Sequence, residues 1–223
     1  MTSVSVLATA PRTVLTRVAG SVSLWNRTRK MSLFHETMRP DASTSVIDVG
    51  VGDTGFSTEP GVARTHNFFE AMYPWPEQIT AVSDRPLPQF SREFPTVRCV
   101  VADGKRLPFP DDSFDVAFSN AVLEHVGGQE EQRRFVHELC RVAPRVFIST
   151  PNRLFPIEPH TLLPLAHWLP RGPRDWIFTR LKQDFWTHLD LLTPHRLLAL
   201  FPSTTRARIV ESRITITATA TRS

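Results

Sequence analysis

The stretch Ser45-Val46-Ile47-Asp48-Val49-Gly50-Val51-Gly52-Asp53-Thr54-Gly55 constrains the chain most. It opens as a short apolar run rich in β-branched residues, which suits a strand buried on both faces of a parallel sheet. The run ends in Gly50, Gly52 and Gly55, spaced G-x-G-x-x-G. Glycine lets the backbone turn sharply and lets a ligand approach without a Cβ in the way. A strand that feeds such a loop and then a helix is a nucleotide-cofactor site, although the spacing alone fits a dinucleotide as well.

Further features narrow the choice. Asp48 sits inside the strand, where a dinucleotide-binding strand is usually apolar, and Asp53 lies within the loop. Downstream come Val100-Val101-Ala102-Asp103-Gly104 and then Leu107-Pro108-Phe109-Pro110-Asp111-Asp112-Ser113-Phe114-Asp115-Val116. Together these motifs resemble the class I S-adenosylmethionine (SAM) methyltransferases, specifically the type-11 branch. The resemblance runs from Ser45 to Asn152 in several ordered motifs and is far more specific than one glycine loop.

The resemblance implies SAM as the cofactor and a role for each matched residue. Asp48 would accept hydrogen bonds from the cofactor's ammonium, directly or through water, and its charge favours that cation. Gly50, Gly52, Asp53 and Gly55 would form the loop against the amino-acid end. Ribose needs a carboxylate at the end of the second strand; the family's usual position is Ser83 here, and the acid follows one residue later at Asp84. Asp103 would meet the exocyclic amine of adenine, with Gly104 beside the ring. The acids from Asp111 to Asp115 are read as a structural turn. Asn120 would line the cofactor at the end of the fourth strand. Ser119-Asn120-Ala121-Val122 stands where base-directed amino methyltransferases carry an Asn/Asp-Pro-Pro-aromatic motif, which argues against an exocyclic base nitrogen as the acceptor.

Two histidines are candidate proton acceptors. His125, in the family-typical pair Glu124-His125, titrates near neutral pH in the usual case. His160 lies in Pro156-Ile157-Glu158-Pro159-His160-Thr161, beyond the fifth strand on the ligand side of such a sheet. The competing reading for both is a hydrogen-bonded packing residue. His167 and His188 are read as structural, and no histidine spacing matches a zinc motif, so no metal is expected.

Strands alternate with helices: strands over 45–50, 78–84, 96–101, 114–119 and 145–149, helices over 21–38, 60–73, 129–141 and 193–201, with a short helix or turn over 86–94. One or two closing strands fall within 206–219. This order predicts an α/β fold with a doubly wound, mostly parallel Rossmann-like sheet and a lid insertion after the fifth strand. Residues 1–40 form an N-terminal arm and a cleft-covering helix; residues 41–223 form the methyltransferase domain. Within it, 155–190 is the insertion, expected to wall the acceptor pocket with Trp168, Trp176 and Trp186.

The 223 residues suffice for one α/β domain, and 41% hydrophobic with 22% charged residues is ordinary for a globular protein. No apolar run approaches the ~18 residues of a spanning helix. The net charge of +4 rests almost wholly on arginine, which reads as a composition bias and a solvated surface. Cys99 and Cys140 are expected as reduced core residues of a cytoplasmic protein. The arm has no acidic residue before Glu36, a composition shared by frayed termini and transit peptides.

The function expected is methyl transfer from SAM to a small-molecule, sugar or lipid-linked acceptor. No nucleic-acid partner is expected, since no clustered basic run or dedicated RNA-binding domain is visible. Peripheral membrane contact and the oligomeric state stay open. The alternatives are an NAD(P)-dependent oxidoreductase and a catalytically inactive SAM-binding protein. The first needs an acid ~20 residues after the loop, whereas Asp84 follows at about 30 and Asp48 is left unexplained.

Overall fold

The structure is a computed structural model that describes residues 10–54, 67–156, 165–180 and 189–222. Its centre is a seven-stranded sheet: β1 (Val46–Val49), β2 (Ile79–Ser83), β3 (Arg98–Val101), β4 (Val116–Asn120), β5 (Arg145–Pro151), β6 (Thr205–Ser212) and β7 (Thr215–Arg222). Their spatial order is β3-β2-β1-β4-β5-β7-β6. The first five pair in parallel; β7 runs antiparallel to both β5 and β6. The order reverses between β1 and β4. In an open α/β sheet that switch point opens a crevice at the carboxyl ends of the two strands, where ligands bind.

Alternation along the strands builds two cores. Ile47, Val49, Ala117, Val146 and Ile148 face α4 (Gln129–Val142) and α6 (Pro194–Leu198). Helix α4 forms because Phe135, Val136, Leu139 and Val142 recur at helical spacing, with Glu130 and Glu131 in its first turn and Arg141 in its last. Those charges complement the helix dipole, and Pro144 prevents continuation. Val46, Phe118 and Phe147 face the opposite layer, made by α1 (Ala10–Met38), α2 (Phe68–Met72) and α3 (Pro88–Glu93).

Helix α1 is anchored by Met31, Phe34 and Met38, at i, i+3 and i+7. Phe34 is fully buried, with its ring 5.0 Å from Phe69, 5.7 Å from Phe118 and 5.5 Å from Phe147, all near edge-to-face. Burying a side chain of this size contributes about 2–3 kcal/mol. The helix begins earlier than the expected Ser21, but its last residue, Met38, is the expected one.

Several expectations change. Strand β5 continues to Pro151 because Thr150 and Pro151 pair with Ile216 and Thr215 of β7. The closing segment is a hairpin of two strands, β6 and β7. Cys99 is exposed, because β3 is the sheet's edge; Cys140 is buried, and burial pushes its thiol up to about 12. The expected helix over 60–73 is described only from Asn67, where α2 ends at Tyr73-Pro74. Within the insertion lie a 3-10 turn (Ala166–Trp168) and α5 (Arg171–Arg180). Trp176 and Trp168 are largely exposed there, 68% and 48%, and so do not wall an enclosed pocket; Trp186 lies outside the described residues.

Candidate active site

The crevice is shaped by two sharp exits. After β1, Gly50 takes φ +104° and its N–H donates to the Val82 carbonyl at 2.8 Å. A Cβ on Gly50 would stand 2.1 Å from Val122 Cγ2, so neither the dihedral nor the space admits another residue. After β4, Ala121 takes φ +56°, and its N–H donates to the Ser149 carbonyl at 2.8 Å. An L-residue with a Cβ in this region is strained, and such outliers cluster at ligand sites.

On the α1/α2 side of the crevice two carboxyl groups meet. Asp48 of β1 is 6% exposed and Glu70 of α2 is 3% exposed, and their side chains share a hydrogen bond. Burial raises Asp48 well above the usual carboxylate range, with the Glu70 charge adding to it. Burial likewise pushes Glu70 up to about 7. The two groups hold at least one proton between them at neutral pH, as carboxylates in contact cannot both ionise cheaply. Glu70 Oε1 is buried and has no hydrogen-bond partner among the described residues. A buried acceptor lacking a donor, beside a second carboxyl, suits an incoming ammonium group.

The other sequence candidates are distributed around this centre. Among the described residues a Cβ on Gly52 would meet nothing nearer than Thr54 Oγ1 at 3.8 Å, so none of them requires glycine there. Asp53 Oδ1 accepts from the Gln89 and Phe90 N–H groups at 2.7 and 2.9 Å, tying the loop to the first turn of α3. Asp84 is exposed just past β2, while Ser83 is buried as its last residue. Asp103 follows β3, its Oδ1 accepting from the Lys105 N–H at 2.9 Å. Gly104 is required by packing, since a Cβ would lie 2.5 Å from Phe135 Cε2 and 2.9 Å from Val49 Cγ1. Gly55 and His160 lie outside the described residues, as does His188.

Asn120 closes β4 on the same face as Asp48, and its Oδ1 accepts from Lys30 Nζ of α1 at 2.7 Å. Of the pair Glu124-His125, the glutamate is the buried member. Glu124 is fully buried in a 3-10 turn (Leu123–His125), and its Oε2 accepts from Thr150 Oγ1 at 2.9 Å. The His125 side chain is 46% exposed, with Nε2 3.9 Å from Glu124 Oε1. His167 is buried with Nε2 3.1 Å from the Arg153 carbonyl, which the Trp168 indole N–H also reaches at 2.6 Å; both fasten the insertion to the end of β5.

Glu70 and Lys30 are the site residues that sequence reasoning missed. Glu70 carries no motif signal. Lys30 carries a faint one: it is one of only three lysines in a chain whose other basic residues are arginine. Lysine can shed its proton when buried, whereas arginine stays charged.

Comparison with known proteins agrees with this geometry. Residues 47–145 match the family model described as "Methyltransferase domain". Over residues 47–145 the chain therefore carries a methyltransferase domain of the class I, type-11 kind, that of an enzyme whose cofactor is SAM. A comparison with curated proteins returns no match. Among solved structures, the chain is similar to the YcgJ protein of Bacillus subtilis at 20% identity and TM-score 0.55, over 82% of this chain and 71% of that one. A SAM-dependent methyltransferase from Mesorhizobium loti aligns at 16% identity and TM-score 0.52, over 84% and 95%. The N-methyltransferase NodS from Bradyrhizobium japonicum, in complex with S-adenosyl-L-homocysteine (SAH), aligns at 11% identity and TM-score 0.55, over 88% and 86%. At these identities the likenesses bear on the fold alone. Among the described residues no helix is long and apolar enough to cross a membrane.

Proposed function

We propose that the enzyme methylates a small-molecule, sugar or lipid-linked acceptor, bound over the carboxyl ends of β1 and β4 between α1 and the 155–190 insertion. The observation that carries this reading is the covering of that crevice by α1, which buries Lys30 and seats it on Asn120 at the carboxyl end of β4. The Asp48–Glu70 pair is assigned to the cofactor's ammonium, the Gly50–Gly55 loop to its amino-acid end, Asp84 to ribose, and Asp103 with Gly104 to adenine. Bound there, SAM supplies a methyl carbon already activated by a positive sulfur, so the protein's main task is to position the nucleophile.

We assign His160, which lies outside the described residues, to the acceptor side as part of a lid formed by residues 155–190. Among the three acceptor classes, a lipid-linked one draws support from the insertion's exposed apolar side chains: Leu165, Trp168, Leu169 and Trp176. Exposed apolar side chains of this kind suit contact with lipid. A cytoplasmic setting fits the two free cysteines.

The test is methyl transfer from labelled SAM over a panel of hydroxyl, amine and lipid acceptors, guided by metabolite and lipid profiling of a deletion strain. A product that lacks one methyl mass in the deletion strain, and is restored by the purified enzyme, supports the reading. SAM binding without transfer to any compound that profiling identifies would favour an inactive SAM-binding protein.

A further inference from the structure

We propose that Lys30 is the proton acceptor for the incoming nucleophile, so that the acceptor is a protic group, a hydroxyl or an amine, lying between α1 and Asn120. This rests on the methyltransferase reading above and adds to it the base and the acceptor's chemical class.

The geometry is specific. Lys30 is 4% exposed, one turn before the anchoring Phe34 on α1. Its amine reaches Asn120 Oδ1, at the carboxyl end of β4, where the sheet order reverses. Asn120 and Asp48 lie on the same face of adjacent strands, so the amine and the carboxyl pair border one crevice. A neutral lysine amine has two N–H groups and one lone pair; one N–H is used by Asn120, and the lone pair is available to a proton.

The charged groups facing Lys30 among the described residues come from three elements. Arg27 lies one turn back on α1, Glu124 comes from the turn after β4, and Glu211 from β6. Glu211 is itself bound by Arg29 Nε and is 6% exposed. Burial and the Arg27 charge pull the Lys30 amine down to about 7, against the opposing pull of Glu124 and Glu211. Burial also lowers Arg27, to about 10, but its guanidinium keeps its charge at neutral pH. A base whose pKa lies near the working pH is the efficient one.

In the transfer the acceptor's X–H bond yields its proton to the Lys30 amine. Its electron pair forms the bond to the methyl carbon, and the C–S pair leaves with sulfur. The products are the methylated acceptor, a neutral thioether and a Lys30 ammonium, which returns its proton to solvent after release.

The sulfur's change of charge provides a test that needs no acceptor. The full chain is labelled with 13Cε-lysine and its three lysine signals are titrated alone, with saturating SAM and with saturating SAH. Lys105→Arg and Lys182→Arg assign the signals without a core variant. Lys30 should titrate near 7 in the free chain. It should titrate lower with SAM than with SAH by between about one and two pH units, the effect of a unit charge at ~7 Å in a medium of effective dielectric ~20. A Lys30 midpoint above about 9 in both complexes, or the same midpoint in both, overturns the proposal. Calorimetry on the same samples separates the two readings: absent SAM binding overturns the cofactor assignment and this proposal with it, whereas normal binding with an ordinary Lys30 overturns this proposal alone.

Discussion

Asp48 and Glu70, on a strand and a helix 22 positions apart in sequence, share a hydrogen bond in a buried environment. At neutral pH that contact requires a proton, and a bound ammonium replaces the need for it. SAM binding near pH 7 should therefore release about one proton to the buffer. Calorimetry in buffers of different ionisation enthalpy reads this number directly, and Glu70→Gln should bring it close to zero.

The same pair sets a pH dependence of stability. Glu70 has a folded-state pKa of about 7, raised from 4.5, so between those values the folded chain holds more protons than the unfolded one. Stability from this group is present at low pH and is lost as pH rises through about 7. Relative to Glu70→Gln, the cofactor-free enzyme should lose on the order of 2 kcal/mol between pH 5 and pH 8. Urea denaturation at a series of pH values checks the sign; a wild-type chain that gains on the variant as pH rises would contradict it.

The two glycines of the loop should respond differently. Gly50→Ala meets Val122 and a positive φ, and should cost about 2–4 kcal/mol of folding stability. Gly52→Val meets no close neighbour among the described residues and should leave the melting temperature nearly unchanged while abolishing SAM binding. Paired thermal and calorimetric measurements on both variants distinguish a fold-bearing glycine from a ligand-facing one.

Asp103→Ala removes a carboxylate that is exposed in the free enzyme and assigned to adenine. The loss of one charge-assisted hydrogen bond, about 1.5–3 kcal/mol, should weaken SAM by roughly tenfold to a hundredfold. An unchanged dissociation constant would place adenine elsewhere.

Phe34 holds α1 to the sheet through edge contacts with Phe69, Tyr73, Phe118 and Phe147. Phe34→Ala should destabilise the chain by about 3–5 kcal/mol. Hydrogen exchange should show the amides of α1 losing protection before those of β4 and β5, because the helix is tied to the sheet largely through this ring.

Legibility in the sequence followed the range of the interactions. The glycine loop, the alternating strands and helix α4 were readable because each depends on local dihedral preference or on a period of two or 3.6 residues. The same reading placed Asp48 inside the first strand just before the glycines, Asn120 at the end of the fourth, and Thr193, whose Oγ1 accepts from the Arg196 N–H at 3.3 Å, at the start of α6. It did not reveal that the carboxylate of Asp53 is held by α3, or that Gly104 is needed for Phe135.

The sequence by itself thus determined the fold class, the cofactor and the strand ends where the cofactor's residues would stand. Only the tertiary structure decided what surrounds them. Lys30 reaches Asn120 across 90 positions, Thr150 reaches Glu124 across 26, and Glu211 comes in from a hairpin at the far end of the chain. No local period encodes such meetings. They follow from which helix covers which face of the sheet, and burial then changes the chemistry: a lysine amine and two carboxyls that would be charged in water are pushed toward neutrality.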